Sequence, residues 1–351
     1  MPWLYATAPT AAVTSATSNT ASGTRLRSPR GDLQHAQHRK GVALCFLSAV
    51  GFGLMAVFAK EAYKDDVSVL TLLALRFTIA AVAFWVIFAA RRTRGVTRAA
   101  PARSTIVAGV ALGAVGYAAQ SGGYFGALTR IDASLTALLL YVYPALVFIG
   151  ALALRRDHVD RRRIVALLLA TGGAALVLAG SGTGNLDALG VALALGAAVA
   201  YAIYILLAHG VTRGIDAFHL SALIATGAAT TLWTVGLLSG SIDLGFQPAG
   251  WGWIIGLSLF CTVLAISAFL SGLPMVGPST AAIVSTVEPL VSVAMAMLWF
   301  GERLGIVQIL GGALVLAAVV LLAVKVRDRV PAAEAAGAAA TGPLARELAR
   351  G

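Results

Sequence analysis

Ten apolar stretches separated by short charged breaks fill the chain from about Gly41 to Val324. Their positions are 41–60, 67–90, 104–126, 133–154, 164–180, 188–208, 217–239, 251–272, 279–300 and 304–324. Each is long enough to cross a bilayer, which takes roughly 20 mostly apolar residues. The pattern predicts an all-α integral membrane protein, because an isolated segment in lipid must satisfy its own backbone polar groups. The flanks read differently. Residues 1–40 are rich in Ala, Ser and Thr, and residues 326–351 are Ala-rich; both are expected to be disordered tails.

Composition agrees. The chain is 59% hydrophobic and 12% charged, about half the charged share of a soluble domain. Its net charge of +11 does not point to nucleic acid, because the cations lie in the breaks between spans. With the N-terminus inside, 21 of the 26 Lys and Arg residues fall on the cytoplasmic side. Lys60, Lys64, Arg130 and Arg303 fall outside, and Arg76 lies within a span. That bias places both termini in the cytoplasm and the protein in the cell membrane. Cys45 and Cys261 both sit within spans and read as packing residues. No phosphate-binding glycine loop, metal-ligand spacing or cofactor signature is present.

The first five spans resemble the last five. Gly41-Val42-Ala43-Leu44 recurs as Gly190-Val191-Ala192-Leu193, and Ala133 through Ala137 parallels Pro278 through Ala282. Tyr143-Pro144 then aligns with Glu288-Pro289. Five spans is an odd number, so a second copy lies upside down relative to the first, a common build for secondary transporters. The expected units are five-helix repeats over 41–181 and 187–325.

These residues resemble the EamA-type members of the drug/metabolite transporter superfamily. The likeness rests on Leu75-Arg76-Phe77, on Ala133 through Pro144, and on Glu288-Pro289-Leu290 followed by Phe300-Gly301-Glu302-Arg303-Leu304. Gly311-Gly312-Ala313-Leu314 follows behind. The first repeat departs from the pattern: Arg156-Asp157 replaces Gly-Glu, and Tyr143 replaces the acid before Pro144. The resemblance implies gradient-driven movement of small metabolites and leaves the substrate open.

Several residues are candidates for that work. Glu288 lies near the middle of the ninth span, where an ionised carboxylate is costly unless it faces a cavity or a partner. It is a candidate to bind substrate or carry a proton, or else to lock two helices. Arg76 is the one basic residue deep in a span; it either meets an anion or neutralises Glu288. Tyr117, Gln120, Ser121 and Tyr124 share one helical face. Tyr141, Tyr143, Tyr201 and Tyr204 read as cavity aromatics or core packing. Pro144 and Pro289 are expected helix breaks. Gly109-x-x-x-Gly113 predicts a close helix crossing, and Lys60, His209 and Glu302 are expected to anchor loops. The reading favours an exporter of amino-acid-like or drug-like compounds working by alternating access, with lipid, substrate and protons as partners. An integral-membrane enzyme or flippase acting on lipid-linked substrates is the alternative; its best cluster, Asp157, His158 and Asp160, sits amid arginines.

Overall fold

A computed structural model describes residues 29–95, 101–154, 161–180, 187–211 and 215–323. The outer parts of both tails and the Asp157-His158-Asp160 cluster lie outside these residues. Every regular element among them is helical: α1 (Pro29–Gly53), α2 (Met55–Lys64), α3 (Val69–Thr93), α4 (Arg103–Ala111), α5 (Ala118–Ala127), α6 (Ala133–Leu140), α7 (Tyr143–Ala153), α8 (Arg161–Gly180), α9 (Ala188–Val211), α10 (Ala217–Leu238), α11 (Ala249–Ser258), α12 (Ala265–Ser285), α13 (Val287–Phe300) and α14 (Ile306–Ala323). Helix α1 thus reaches back to Pro29, well before the first apolar span.

Eight helical stretches are long and apolar enough to cross a membrane. The fifth and tenth apolar segments form shorter helices, Ile164–Gly180 and Ile306–Leu322, at the lower limit for a crossing. Many large apolar side chains face outward, among them Val86, Leu238 and Leu298. In lipid such exposure carries no penalty. The protein is a multi-pass membrane protein.

The spans are interrupted at five places, the first of them at Leu54, between α1 and α2. A six-residue π-helix, Leu112–Tyr117, joins α4 to α5, and a second, Leu259–Leu264, joins α11 to α12. The fourth span breaks at Tyr141-Val142, between α6 and α7, and the ninth at Thr286, between α12 and α13. Pro144 and Pro289 each sit in the first turn beyond a break, where a missing N–H costs nothing. Both prolines therefore stand at helix starts, each just beyond an interruption.

Small residues set the closest approach. A Cβ placed on Gly113 would lie 2.0 Å from the Ile224 carbonyl oxygen, and one on Gly227 would lie 2.1 Å from that of Val110. Helix α10 therefore packs backbone to backbone against the π-segment after α4. The Gly113 half of this crossing was legible in the sequence; Gly227 was not singled out. Between α3 and α10, Trp233 donates to Thr78 (2.9 Å) and Trp85 to Thr226 (3.1 Å).

Candidate functional site

A cavity of about 50 Å³ lies in the middle of the bundle, with room for a few water molecules. Eight candidates from the sequence meet there: Arg76, Tyr117, Gln120, Ser121, Tyr124, Tyr141, Tyr201 and Glu288. Tyr143 and Tyr204 do not line it. They back it instead: Tyr143 packs 4.5 Å from the Tyr201 ring, and Tyr204 lies 5.5 Å from Tyr117 and 6.1 Å from Tyr201. The sequence missed Phe52, Met55, Phe125 and Ser292, which also line the cavity. Ser292 stands one turn beyond Glu288, so helical spacing could have found it.

Arg76 is 1% exposed. Its Nε donates to the Thr262 hydroxyl at 2.9 Å, and one Nη lies 3.5 Å from the Met55 sulfur. The guanidinium sits between the rings of Phe77 and Phe125, at 4.9 and 5.0 Å, which stabilises a cation shielded from water. Tyr117, which lines the same cavity, also interacts with the guanidinium. Both π-helices feed this arrangement. Tyr117 ends the first, and Thr262 lies in the second, where it donates in turn to the Leu257 carbonyl five residues back (3.0 Å). A π-turn leaves a carbonyl without its usual partner and re-aims the side chains beside it, and such turns concentrate at functional sites.

Glu288 is half-buried at the start of α13 and also lines the cavity. Tyr141, at the fourth-span break, lines it too and interacts with the Glu288 carboxylate. Arg76 does not neutralise it: among the described residues no ion pair joins the two. One fixed cation and one acid thus face a shared space, each with hydrogen-bonding capacity left over. A guanidinium carries five N–H donors and a carboxylate about four acceptor positions.

A second acid, Glu302, is fully engaged. Gly301 ends α13 in the left-handed conformation (φ 67°), which glycine adopts without strain. The turn sends Glu302 across to α6. Its Oε1 accepts from the Ala133 N–H (2.8 Å) and from Lys60 Nζ (3.1 Å). Its Oε2 accepts from the Ser134 N–H (3.0 Å) and hydroxyl (2.7 Å). Asp132, the residue preceding α6, makes no cap of its own, so an acid distant in sequence caps this helix. Burial acts to raise the Glu302 carboxyl, but the bonds from Ser134 and Ala133 and the Lys60 charge hold it below its ordinary value. Asp132 is shifted the other way, upward, by burial and by the Glu302 charge. Expected to anchor loops, Lys60 and Glu302 instead link distant parts of the chain. His209, grouped with them, has its side chain outside the described residues.

Two stretches, residues 39–179 and 188–324, each match the EamA-like transporter family. An uncharacterized transporter of Archaeoglobus fulgidus is 28% identical over 287 residues, covering 81% of this chain and 96% of that protein. The uncharacterized transporter YcbK of Bacillus subtilis is 29% identical over 196 residues, covering 53% of this chain and 62% of its own. A solved crystal structure at 16% identity superposes with a TM-score of 0.57 over 81% of this chain and 96% of that one, a likeness of fold. With the family matched over nearly all of the apolar chain, this protein belongs to the EamA-like transporter family and is a membrane transporter.

Proposed function

We propose that the protein is a secondary transporter that exports small dipolar metabolites, amino-acid-like or drug-like, by alternating access around the central cavity. The observation that carries this reading is the pair of unspent charges. Arg76 and Glu288 face one cavity without pairing, on a wall whose other side chains are uncharged: tyrosines, apolar groups and the small polar groups of Gln120, Ser121 and Ser292. A ligand carrying both a carboxylate and an ammonium would satisfy both, and the aromatic rings would take its apolar part. The cavity is too small for such a ligand as it stands, so loading requires the walls to separate, as alternating access demands.

On this reading the chain crosses the cell membrane ten times, as two inverted five-helix repeats over 41–181 and 187–325, with both termini in the cytoplasm. Three features support the inverted repeat. The family matches twice, the π-helices fall in the third and eighth spans, and the breaks fall in the fourth and ninth. The two shorter apolar helices pack against each other as fifth and tenth spans: a Cβ on Gly173 would lie 2.6 Å from the Gly311 carbonyl oxygen, and the reverse holds. Glu288 is also the proposed proton carrier, since an acid in this setting changes protonation as its surroundings change.

The test compares culture media from bacteria expressing the native protein, the Glu288→Gln variant, or neither, by untargeted mass spectrometry. A small dipolar compound that accumulates outside only with the native protein is the expected result. Equal accumulation with the variant would remove Glu288 from the mechanism. Identical media from all three strains would contradict export. Transport at equal rates at pH 6 and pH 8, with Glu288→Gln fully active, would contradict proton coupling.

A further inference from the structure

The cluster around Glu302 lies between two hollows. On one side is the central cavity. On the other is an open cleft of about 580 Å³, lined by Lys60, Leu128, Asp132, Leu135, Arg303 and others on the side assigned to the outside. The three elements that meet at Glu302 all continue into the cavity wall. Helix α6 presents Ala133 and Ser134 to Glu302 and then Ala137 and Leu140 to the cavity. Helix α2 gives Met55 to the cavity and Lys60 to Glu302. Helix α13 gives Glu288 and Ser292 to the cavity and ends just before Glu302. Lys60 itself borders the outer cleft.

We propose that Glu302, with Lys60 and the first turn of α6, is the latch of the outer gate: while it is made, α6 is held against the turn after α13 and the cavity is sealed from the cleft, and its release joins the two. This rests on the reading of the central cavity as the transport site. The bonding is of the kind a latch requires. The four contacts converge on one carboxylate at the tip of a short turn, and three of them go to the N-terminus of one half-helix. They form or break together when that half-helix moves. Glu302 is 8% exposed and Lys60 20%, so the contacts are shielded, yet they border a wide polar cleft from which water can enter as they part. The break at Tyr141-Val142 lets α6 move without dragging α7.

The latch can be read without knowing the substrate. A reporter cysteine at Ser292 is placed in a background carrying Cys45→Ala and Cys261→Ala, and a membrane-impermeant maleimide is applied to intact cells. Labelling is expected to be slow with Glu302 in place and at least about tenfold faster with Glu302→Ala, since all four contacts of the closed state are lost and a single charge-assisted one is already worth about that factor. From the opposite face, in inside-out vesicles, labelling is expected to slow in the variant. Equal outer labelling in the two proteins, both monodisperse and equally reactive once denatured, overturns the proposal. If Glu302→Ala does not accumulate, Lys60→Met, which leaves the caps on α6 intact, is expected to raise labelling about threefold on the same scale, and no change there overturns it.

A second arm uses a Ser134→Cys, Glu302→Cys pair joined by a short bifunctional thiosulfonate. The cross-link is expected to stop efflux of the compound found above, and reductant to restore it. Continued efflux with the cross-link complete overturns the latch. If the native protein exports nothing, the transport reading fails while the labelling arm still decides whether Glu302 controls access to the cavity.

Discussion

Glu288 and Glu302 bracket the same helix, α13, and live in opposite conditions. Glu302 has all its capacity engaged: four donors from α6 and Lys60 reach its two oxygens. Glu288 faces a cavity it shares with Tyr141, and among the described residues no ion pair engages it. The difference shows how a buried acid can be classed from its partners. An acid whose acceptor positions are filled by the protein holds the protein together, and removing it strands the groups it served. An acid left short of donors, in a place where charge is costly, keeps room for something that arrives from outside. Arg76 repeats the second condition with the opposite sign: it is buried against aromatic rings, a hydroxyl and a sulfur, with no carboxylate partner among the described residues.

The largest effect should fall on the unsatisfied pair. Glu288→Gln keeps the shape and loses the charge, so transport is expected to drop roughly 100-fold, the size of a lost buried charge-assisted contact. Because few protein groups depend on Glu288, the variant's thermal stability is expected to stay within about 1 kcal/mol of the parent. Arg76→Lys keeps the charge and loses the planar fork; a roughly tenfold loss of transport is expected from the missing bidentate geometry. Efflux from loaded proteoliposomes measures both. A variant of either residue that unfolds while Glu302→Ala remains stable would reverse the assignment of the two acids.

Much of this was legible in the sequence, and the rest has physical reasons for being hidden. Hydropathy locates each of the eight stretches long and apolar enough to cross, since lipid leaves a backbone so few alternatives. Rarity of charge inside spans points at Arg76 and Glu288, and four-residue spacing gathers Tyr117, Gln120, Ser121 and Tyr124. Nothing local announces a π-turn, so Thr262 as a partner of Arg76 could not be read from the chain. Nor could the latch: Lys60 and Glu302 are 242 residues apart, and each looks like an ordinary interfacial charge beside its neighbours. Tyr143 and Tyr204 show the converse error. Being aromatic and adjacent in sequence to cavity residues does not place a ring in the wall; both sit one layer behind it.

Next in size is the satisfied acid. Glu302→Ala leaves Lys60, the Ser134 hydroxyl and two N–H groups of α6 without their acceptor. A loss of about 3 kcal/mol of stability is expected, the lower end for breaking a shielded ion pair by removing one partner. Thermal denaturation in detergent, set beside Glu288→Gln, measures it. The pH dependence has a definite sign. A carboxyl held below its ordinary value contributes fully above that value, near pH 4.3, and its contribution is lost as pH falls through the lower, bonded value. Asp132 is shifted the opposite way, upward, by burial and by Glu302, so its protonation relieves repulsion within the cluster. Stability of the parent should therefore hold down to ordinary carboxylate pKa values and then fall, while Glu302→Ala lacks that final drop. Matching acid profiles would show that Glu302 is not the group responsible.

The smallest effect tests whether burial, and not the bonding pattern alone, separates these acids. Asp187 imitates Glu302 on the outer surface. It precedes α9, accepts from the Gly190 N–H at 2.8 Å, and pairs with Arg130 at 2.9 Å. Its carboxyl, too, is held below the ordinary value, by the Gly190 N–H first and then by Arg130. Here the side chains are open to water, 32% exposed for Asp187 and 41% for Arg130, so solvent replaces whatever is lost. Asp187→Asn retains an oxygen able to cap α9 and removes only a solvent-screened ion pair, which contributes little to stability. No measurable change in transport is expected, and outer labelling of the Ser292 reporter should match the parent. If Asp187→Asn instead speeds that labelling as much as Glu302→Ala does, a helix-capping acid paired with a cation would be enough to act as a latch wherever it occurs. The shielded position between the cavity and the cleft would then lose its special standing.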